Sequence, residues 1–268
     1  MSQKFYASKK SLFGKIFSHD QRSSNRYHDY RSIAGYIKTG FFFIKRNFIM
    51  DSNFIEKEKI FLKENNLVKI TDEIGVIIGE IPYATVDNFT NVKLYSHSFL
   101  YLHTDAYNNL LKAIKIADEK GYILKIFDCY RPFSVQAFMA NNFPNFVADG
   151  YVSHPSEGVA THVRGIAVDL TLVNKNDLSL VDMGSEFDEM SEKSHHDSPN
   201  ISPIAKKNRN ILAYIMTQSG FEIYPDEWWH YNLKIFKYKN GKIVGALSRA
   251  DKKYPKITEN FIELINYE

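Results

Sequence analysis

Cysteine is nearly absent from this sequence. Cys129 is the single one among 268 residues, so an internal disulfide is excluded. One unpaired thiol favours a reducing compartment, although a chain without disulfides can also occupy a periplasm. Cys129 stands between Asp128 and Tyr130 without the histidine signal of a cysteine hydrolase. We therefore expect a buried, inert thiol rather than a nucleophile.

Long apolar runs are also missing. The longest near the start, Phe41-Phe42-Phe43-Ile44, is interrupted at once by Lys45-Arg46. It is far shorter than the roughly 20 residues that cross a bilayer. No secretory signal is predicted, because an apolar core of about 7–15 residues followed by a small-residue cleavage site does not occur. We expect no membrane span.

Acidic residues are scarce in the first fifty positions, which hold ten Lys/Arg and two Asp/Glu, a net charge of +8. The total of 34 basic and 31 acidic residues then leaves 24 against 29, or −5, for the remainder. A flexible basic extension is the favoured interpretation, and Met50 leaves open a later start. Nucleic-acid binding is not expected, because no motif supports it. We predict an extension over residues 1–50 and a globular domain over 51–268.

Several common enzyme motifs do not occur. The chain has no HExxH, no GxSxG and no phosphate-binding loop, so zincins, serine hydrolases and P-loop proteins lose their usual support. What is present is 44% hydrophobic and 15% aromatic residues. That composition is ample for a packed core in one large domain or two small ones.

Local patterns from position 51 predict an α+β fold. Strands gather late in the chain and helices are set apart, which favours a central antiparallel sheet flanked by helices. The predicted helices begin at Asp51-Ser52, at Thr104 with Gly121 as the stop, near Val135, and at about Ile204. The predicted strands are 75–79, 122–127, 166–172, 221–224 and 229–233, followed by a hairpin at Asn240-Gly241.

Four polar residues have the composition of a hydrolytic zinc site. His162 and Asp169 are followed, nearly sixty residues later, by Glu227 and His230. A catalytic zinc ion usually takes three imidazole or carboxylate ligands and keeps a fourth position open. His162, Asp169 and His230 would supply these ligands, which leaves Glu227 as a general base for amide hydrolysis.

The spacing of these four residues constrains the local backbone geometry. Residues 166–172 alternate with period two, which puts Asp169 on the strand face without the large aliphatic side chains, and His162 in the loop before it. Glu227 and His230 are three apart, so a flat strand would send them to opposite faces. The chain must bend there if both serve one metal. Taken singly, each of the four is more often a surface or structural residue.

Further motifs flank the four residues in chain order. They are Asp128-x-Tyr130-Arg131-Pro132, His162-x-x-Gly165-x-Ala167-x-Asp169-Leu170-Thr171-Leu172, Asp182-Met183-Gly184-x-x-Phe187-Asp188, Ser194-His195-His196 and Glu227-Trp228-Trp229-His230. Over roughly residues 67–233 the set resembles the D-alanyl-D-alanine dipeptidases, M15-family zinc peptidases related to the vancomycin-resistance dipeptidase and to D,D-carboxypeptidases. The resemblance implies a Hedgehog/D,D-peptidase-like fold, one Zn²⁺ per chain and a small dipeptide as the partner.

The resemblance also implies roles for individual residues. It keeps the three ligands and the base, and it places Arg131 near the scissile carbonyl, where a fixed guanidinium stabilises an oxyanion. A structural salt bridge is the alternative for Arg131. Asp128 and Asp188 would shape the pocket or meet the substrate ammonium. The family usually has a serine where Ala160 stands, so the adjacent Thr161 is the candidate hydroxyl for a substrate contact.

The expected function is therefore hydrolysis of D-alanyl-D-alanine to two D-alanines in peptidoglycan-precursor turnover. Two alternatives stay open: a D,D-carboxypeptidase or endopeptidase acting on longer cell-wall peptides, and a non-catalytic zinc-binding module. A closed pocket would favour the dipeptide and an open groove the longer peptides. A cytoplasmic location is expected, with the periplasm as alternative, because the family acts on free dipeptide and no signal peptide is evident. His195-His196 is not expected to bind metal, since adjacent side chains diverge.

Overall fold

A computed structural model describes residues 52–155, 160–239, 242–247 and 253–258. The basic segment 1–50, Asp51 with its predicted role as a helix cap, and the hairpin turn predicted at Asn240-Gly241 lie outside these ranges. The domain boundary at residue 51 therefore stays a prediction. Within the described ranges, no helix is both long and apolar enough to cross a bilayer.

Helices and antiparallel strands make up the described chain, which confirms the α+β prediction. The helices are α1 Ser52–Glu64, α2 Thr104–Glu119, α3 Phe133–Asn142, α4 Pro144–Ala148 and α5 Pro203–Gln218. The strands are β1 Leu67–Ile70, β2 Leu100–His103, β3 Tyr122–Asp128, β4 Ala167–Asn174, β5 Phe221–Tyr224, β6 Glu227–Leu233, β7 Ile235–Lys239 and β8 Lys242–Leu247. Strands β1 and β2 form one antiparallel pair, and β7 and β8 form another.

The central sheet has four antiparallel strands in the order β3, β4, β6, β5. β4 lies inside it, and its first seven residues are buried. Asp169 on β4 pairs with Asp128 on β3 and with His230 on β6. Side chains of cross-strand partners are neighbours on one face of a sheet. One rung of the sheet therefore brings three polar residues together.

Helix α2 buries the face that its spacing predicts. Ala106, Leu110, Ala113 and Ala117 are buried and recur every three or four residues, as one helix face requires. The helix packs on β2 and β3 and against α5, which in turn packs on β5. These two helices anchor the strands that carry the polar rung.

Helix α2 begins at Thr104, as predicted, but the expected capping role of Thr104 is wrong. His103, not Thr104, is the N-cap, and its Nδ1 accepts a hydrogen bond of 3.2 Å from the backbone N–H of Asp105. The Thr104 hydroxyl instead donates to the backbone carbonyl and side-chain oxygen of Asn66. A side chain already committed to a neighbouring turn is not available for capping.

The predicted strand over 75–79 is wrong in extent. Only an isolated bridge forms there, between Ile77 and Lys125 of β3. Gly75 has φ 91, a left-handed conformation that ends the preceding 3-10 turn and cannot belong to a regular strand. The stretch that follows α3 contains a further short helix that the local patterns do not predict, α4, which has Pro144 in its first turn.

Candidate active site

His162 lies in a 3-10 turn, His162–Arg164, just before β4. Its Nδ1–H donates a hydrogen bond of 2.6 Å to the carbonyl of Cys129. Gly165 closes the turn at φ 64, and a Cβ there would lie 2.7 Å from Leu67 Cδ2, so a side chain has no room. Because a carbonyl only accepts, the hydrogen sits on Nδ1, and the Nε2 lone pair of His162 is available as a ligand.

His230 and Asp169 lie side by side as cross-strand partners. The Nε2–H of His230 donates to Asn232 Oδ1 at 2.9 Å. Its Nδ1 lone pair then faces Asp169, whose Oδ1 is 3.0 Å away. Asn232 is two residues beyond His230, and such residues share a strand face. Strand geometry therefore selects the nitrogen of His230 that faces the site.

The three candidate ligand atoms converge. His162 Nε2 lies 3.1 Å from His230 Nδ1 and 3.3 Å from Asp169 Oδ2, and one ligand atom from each residue falls within 4.8 Å of the others. Atoms that bind one zinc ion at about 2.0–2.1 Å with tetrahedral angles are about 3.3 Å apart. Two nitrogen lone pairs and a carboxylate this close repel one another unless positive charge lies among them. The donor set and its spacing fit zinc.

Asp169 is held in the form that a metal requires. It is 2% exposed, and burial alone would raise its pKa. Without a bound metal, positive charge on His162 and His230 and hydrogen bonds from their rings outweigh burial and hold the pKa of Asp169 well below its usual value. A zinc ion bound by the neutral forms of both rings would supply that positive charge in their place. Because carboxylate ligands bind metal only when deprotonated, the surroundings of Asp169 favour metal binding.

Glu227 opens β6 at an irregularity in the sheet. Ile223 of β5 pairs with Tyr231, but the next residue, Tyr224, pairs with Glu227. β6 thus advances four residues while β5 advances one, and the excess forms a bulge. This is the bend that the three-residue spacing requires. It brings Glu227 Oε2 to 3.8 Å from His230 Nδ1.

The charge state of Glu227 depends on its surroundings. Glu227 is 6% exposed, and burial raises the pKa of its carboxyl group to about 8, with His230 and Arg131 acting against burial and Asp169 with it. Positive charge nearby favours the ionised carboxylate. A cation held by the neighbouring ligands would therefore favour Glu227 in the form that accepts a proton from water.

Arg131 is fixed at the edge of the cleft because three of its nitrogens donate hydrogen bonds to neighbouring side chains. Its Nε and Nη2 donate to Asp128 Oδ2 at 3.0 and 2.9 Å, and its Nη1 donates to Gln136 Oε1 at 3.0 Å. Nη2 also lies 3.7 Å from Asp169 Oδ2. The salt bridge considered from the sequence is thus present. It is also what holds the guanidinium beside the candidate ligands.

Asp128 does not line the cleft, contrary to the expectation that it helps to bind substrate. It is 0% exposed. Its Oδ1 accepts a hydrogen bond of 2.8 Å from Tyr95, and its Oδ2 accepts from Arg131. Both oxygens are therefore engaged behind the guanidinium, and Asp128 orients Arg131 instead.

Asp188 and Thr161, the other expected substrate contacts, do line the cleft. Asp188 has φ 60, in the left-handed region that aspartate and asparagine tolerate best among residues with side chains. Its Oδ2 accepts a hydrogen bond of 2.9 Å from Tyr83. Burial and the charge of Asp169 raise the pKa of Asp188 well above its usual value, despite Arg131. An ammonium group beside it would favour its ionised form.

These groups share one cleft of ≈ 270 Å³. That volume lies just below the roughly 300–1,000 Å³ of pockets for drug-sized ligands, so the cleft can hold a small molecule. Both polar and apolar side chains complete its walls, among them Tyr83, Phe89, Gln136, Val147, Tyr151, Val152, Ala160, Met190, Tyr224, Trp229 and Asn232.

Several of these residues were missed from the sequence. Asn232 has a recognisable signal, since it follows a candidate ligand by two positions in a strand. Tyr83 has none, because its hydroxyl reaches Asp188 from 105 positions away. The histidine pair does diverge: His195 Nε2 lies 3.0 Å from the Tyr151 hydroxyl, whereas the neighbouring ring turns toward Tyr231.

Cys129 behaves as a packing residue. It is fully buried, and burial raises the pKa of its thiol well above the usual value. A thiol in this state is a poor nucleophile. Its backbone carbonyl, which orients His162, is the part of Cys129 that serves the site.

Comparison with known proteins agrees with this geometry. The family model described as D-Ala-D-Ala dipeptidase, peptidase M15, matches residues 63–242, which is 180 of 268 residues. A D-alanyl-D-alanine dipeptidase of Escherichia coli (strain K12) is 41% identical over 156 residues, or 58% of this chain and 77% of that protein. One from Enterococcus faecium is 40% identical over 178 residues, or 59% and 86%.

Among solved structures, a vancomycin-resistance D,D-pentapeptidase in complex with Zn(II) is 18% identical, covers 52% of this chain and 76% of that one, and has a TM-score of 0.33. The chain belongs to the zinc-dependent D-Ala-D-Ala dipeptidase family of M15 peptidases.

Proposed function

We propose that this enzyme hydrolyses D-alanyl-D-alanine to two D-alanines with one zinc ion per chain, held by His162, Asp169 and His230. The observation that carries the proposal is the convergence of three ligand atoms within 4.8 Å in a small cleft that also presents Glu227 and Arg131. A bound zinc ion polarises a carbonyl and lowers the pKa of water. The activity is the one named for the two relatives.

Glu227 acts as the general base and then as the general acid. Its carboxylate lies 3.8 Å from His230, beside the candidate ligands. A zinc ion held by those ligands would favour the ionised form of Glu227 over the protonated form that burial favours. Glu227 takes a proton from the attacking water and passes that proton to the leaving amine. Amide hydrolysis at neutral pH needs both transfers, because an unprotonated amine is a poor leaving group.

Arg131 stabilises the oxyanion that forms when water adds to the peptide carbonyl. Arg131 is 8% exposed, and its guanidinium is held by Asp128 and Gln136. A donor that is already in place when charge develops costs no reorganisation, and in a sheltered site it is worth more than in water.

The cleft offers a partner for the charged amino end of the dipeptide. A zwitterion that leaves water needs a buried partner for its ammonium group, and Asp188 is the candidate carboxylate. Thr161 supplies a hydroxyl group in the wall of the cleft, next to Ala160, whose side chain has none. The ≈ 270 Å³ volume favours this small substrate over a pentapeptide stem. The pair of Glu227 and Arg131 speaks against a purely structural zinc site, which needs neither a base nor an oxyanion partner.

An assay of D-alanine release tests the proposal. The protein is incubated with D-Ala-D-Ala and, separately, with a pentapeptide ending in D-Ala-D-Ala, before and after treatment with a chelator and readdition of Zn²⁺, and its metal content is measured. We expect cleavage of the dipeptide alone, loss with chelator, recovery with zinc and one zinc ion per chain. Faster cleavage of the pentapeptide than of the dipeptide would favour the carboxypeptidase alternative. A zinc-bound protein that cleaves neither peptide would favour the non-catalytic zinc-binding module.

Two substitutions separate metal binding from chemistry. Glu227→Ala should keep zinc but lose about 10²–10⁴-fold in kcat, because the acid–base group is gone. His230→Ala should lose zinc and hydrolysis together. Wild-type kcat in Glu227→Ala would contradict the proposed role of Glu227 as general base and acid.

The proposed setting is peptidoglycan-precursor turnover in the cytoplasm. Its support is the unpaired Cys129 thiol and the small free dipeptide that the cleft suits. Cell fractionation that finds the activity with periplasmic markers would contradict this location.

A further inference from the structure

A segment beyond the family match packs close to the site. The match ends at residue 242, and residues 253–258, here called the strap, lie further along the chain. Tyr254 and Ile257 of the strap are 4% and 5% exposed and belong to the main hydrophobic core. Two buried apolar anchors attach the strap firmly to the domain.

The strap is hydrogen-bonded to the turn that carries His162. The backbone N–H of Ile257 donates to the Val163 carbonyl at 2.9 Å. The guanidinium of Arg164 donates to the carbonyl of Tyr254. Val163 is 0% and Arg164 7% exposed, so both contacts are shielded from water. The two residues that follow His162 are thus each bound to the strap.

The same turn is held from the start of α2. The backbone N–H of His103 donates to the carbonyl of Gly165 at 2.8 Å. The Tyr254 ring packs edge-on against the His103 ring, with 4.9 Å between centroids, and its hydroxyl donates to Asp105 Oδ2 at 2.8 Å. The strap, the helix start and the turn therefore contact one another, and movement of one is opposed by the other two.

From these contacts we infer that the strap is a positioning element for the metal site. It holds the backbone of the His162–Arg164 turn so that His162 Nε2 faces Asp169 and His230, and it thereby sets how tightly zinc is retained. The inference rests on the proposed zinc site. Groups that orient metal ligands without touching the metal change affinity by about 10–100-fold when they are removed.

Two variants test the strap. Arg164→Met removes the donor to Tyr254 and keeps an unbranched apolar side chain, and a chain ending at Lys252 removes the strap altogether. Zinc affinity is measured by competition with a chromogenic chelator, and the melting temperature is recorded for metal-free protein. We expect zinc to bind about 10-fold more weakly to Arg164→Met and up to about 100-fold more weakly to the shortened chain. The kcat of zinc-saturated Arg164→Met should stay within about threefold of wild type, since its reacting groups are unchanged.

A destabilised control distinguishes positioning from general stability. Ile215→Ala removes a fully buried side chain from α5, a helix that contributes no residue to the cleft. It should lower the melting temperature without weakening zinc binding. Equal zinc affinities in Arg164→Met, the control and wild type would overturn the inference even if Arg164→Met melts earlier. A wild-type protein that neither binds zinc nor hydrolyses D-Ala-D-Ala would instead overturn the proposed function, and the inference with it.

Discussion

At the scale of single residues, Arg131 and Asp128 form a buried ion pair with a clear use in orientation. Such a pair is weak evidence for stability, because removing both charges from water costs about as much as their attraction returns. Here the pair fixes a guanidinium 3.7 Å from Asp169. The ion pair therefore serves the reaction by keeping the guanidinium of Arg131 in position.

Asp128→Asn tests this role. The amide keeps the size of the side chain but loses the charge that holds the guanidinium. We expect kcat to fall about 100-fold, as a displacement of roughly 1 Å can cause, with zinc content unchanged by metal analysis and a smaller change in KM. Tyr95→Phe is the matched control, because it removes only the bond to Asp128 Oδ1. Steady-state kinetics that give equal kcat for Asp128→Asn and wild type would refute the positioning role.

Asp188→Asn tests recognition of the substrate ammonium. Asparagine also tolerates the left-handed backbone at this position, so the fold should be kept. Loss of a charge-assisted bond worth about 1.5–3 kcal/mol should lower kcat/KM about 10–100-fold, mainly through KM. Tyr83→Phe, which removes one hydrogen bond to the same carboxylate, should have a smaller effect. An unchanged KM in Asp188→Asn would show that the ammonium binds elsewhere.

Residue types and spacing predict part of this site and not the rest. The sequence predicts the roles of four residues because their side-chain types and the motifs around them are typical of hydrolytic zinc sites: His162, Asp169, Glu227 and His230. The burial of Asp128 could not be foreseen, because it depends on Tyr95, which is 33 positions away. Pairwise contacts between distant segments leave no local pattern in the sequence.

At the scale of elements, a buried arginine on α5 organises the loop that leads to the cleft. Arg209 is 0% exposed and donates to the carbonyls of Met183, Lys193 and His195 at 2.6–2.7 Å. Asp188 lies within the stretch that these bonds hold. One helix side chain therefore shapes a loop that has little regular structure of its own.

Arg209→Met should destabilise the protein and impair substrate binding together. The buried carbonyl of Met183 and the partly buried carbonyls of Lys193 and His195 would lose their donor. A buried group left unsatisfied costs about 1–3 kcal/mol and a hydrated one less, so the free energy of unfolding should fall by roughly 2–3 kcal/mol in urea denaturation. KM should rise more than kcat falls, because Asp188 moves while the zinc ligands do not. Arg209→Lys, which keeps the charge but lacks the planar fork, should show the same direction. Loss of stability with unchanged KM would mean that the loop does not depend on this arginine.

The elements themselves were predictable where periodicity is strong. The α2 face and the alternation in β4 follow from spacing alone. The bend at Glu227 was predicted as a condition of shared metal binding, and the register shift between β5 and β6 satisfies it. The strand predicted over 75–79 failed because an apolar run between two glycines does not reveal the left-handed turn at Gly75.

At the scale of the whole molecule, the candidate metal ligands, the general base and the oxyanion partner come from separate parts of the chain. The end of β3 supplies Arg131, the turn before β4 supplies His162, and β6 supplies Glu227 and His230. The sheet brings them together because Asp169 pairs with strands on both sides. Strand order cannot be read from any one segment, which is why the motifs predict the chemistry but not the strap that braces it.

His196 makes the stability of the whole fold sensitive to acid. Its ring packs edge-on against Tyr231 at 5.9 Å, and burial, with the charge of Arg209, lowers its pKa from 6.5 to about 4. Between these two pKa values His196 is protonated in the unfolded chain but neutral in the folded protein. Stability that is present above pH 6.5 is therefore lost as the pH falls toward 4. The difference in pKa corresponds to about 3 kcal/mol.

The variant His196→Phe tests this acid sensitivity, because phenylalanine keeps a ring at this position but cannot titrate. Its free energy of unfolding, measured by urea denaturation of the metal-free protein at about pH 7.5 and about pH 4, should therefore fall about 2–3 kcal/mol less than that of wild type. Titrations of other groups occur in both proteins and cancel in this difference, so parallel losses would show that His196 is not the sensitive group.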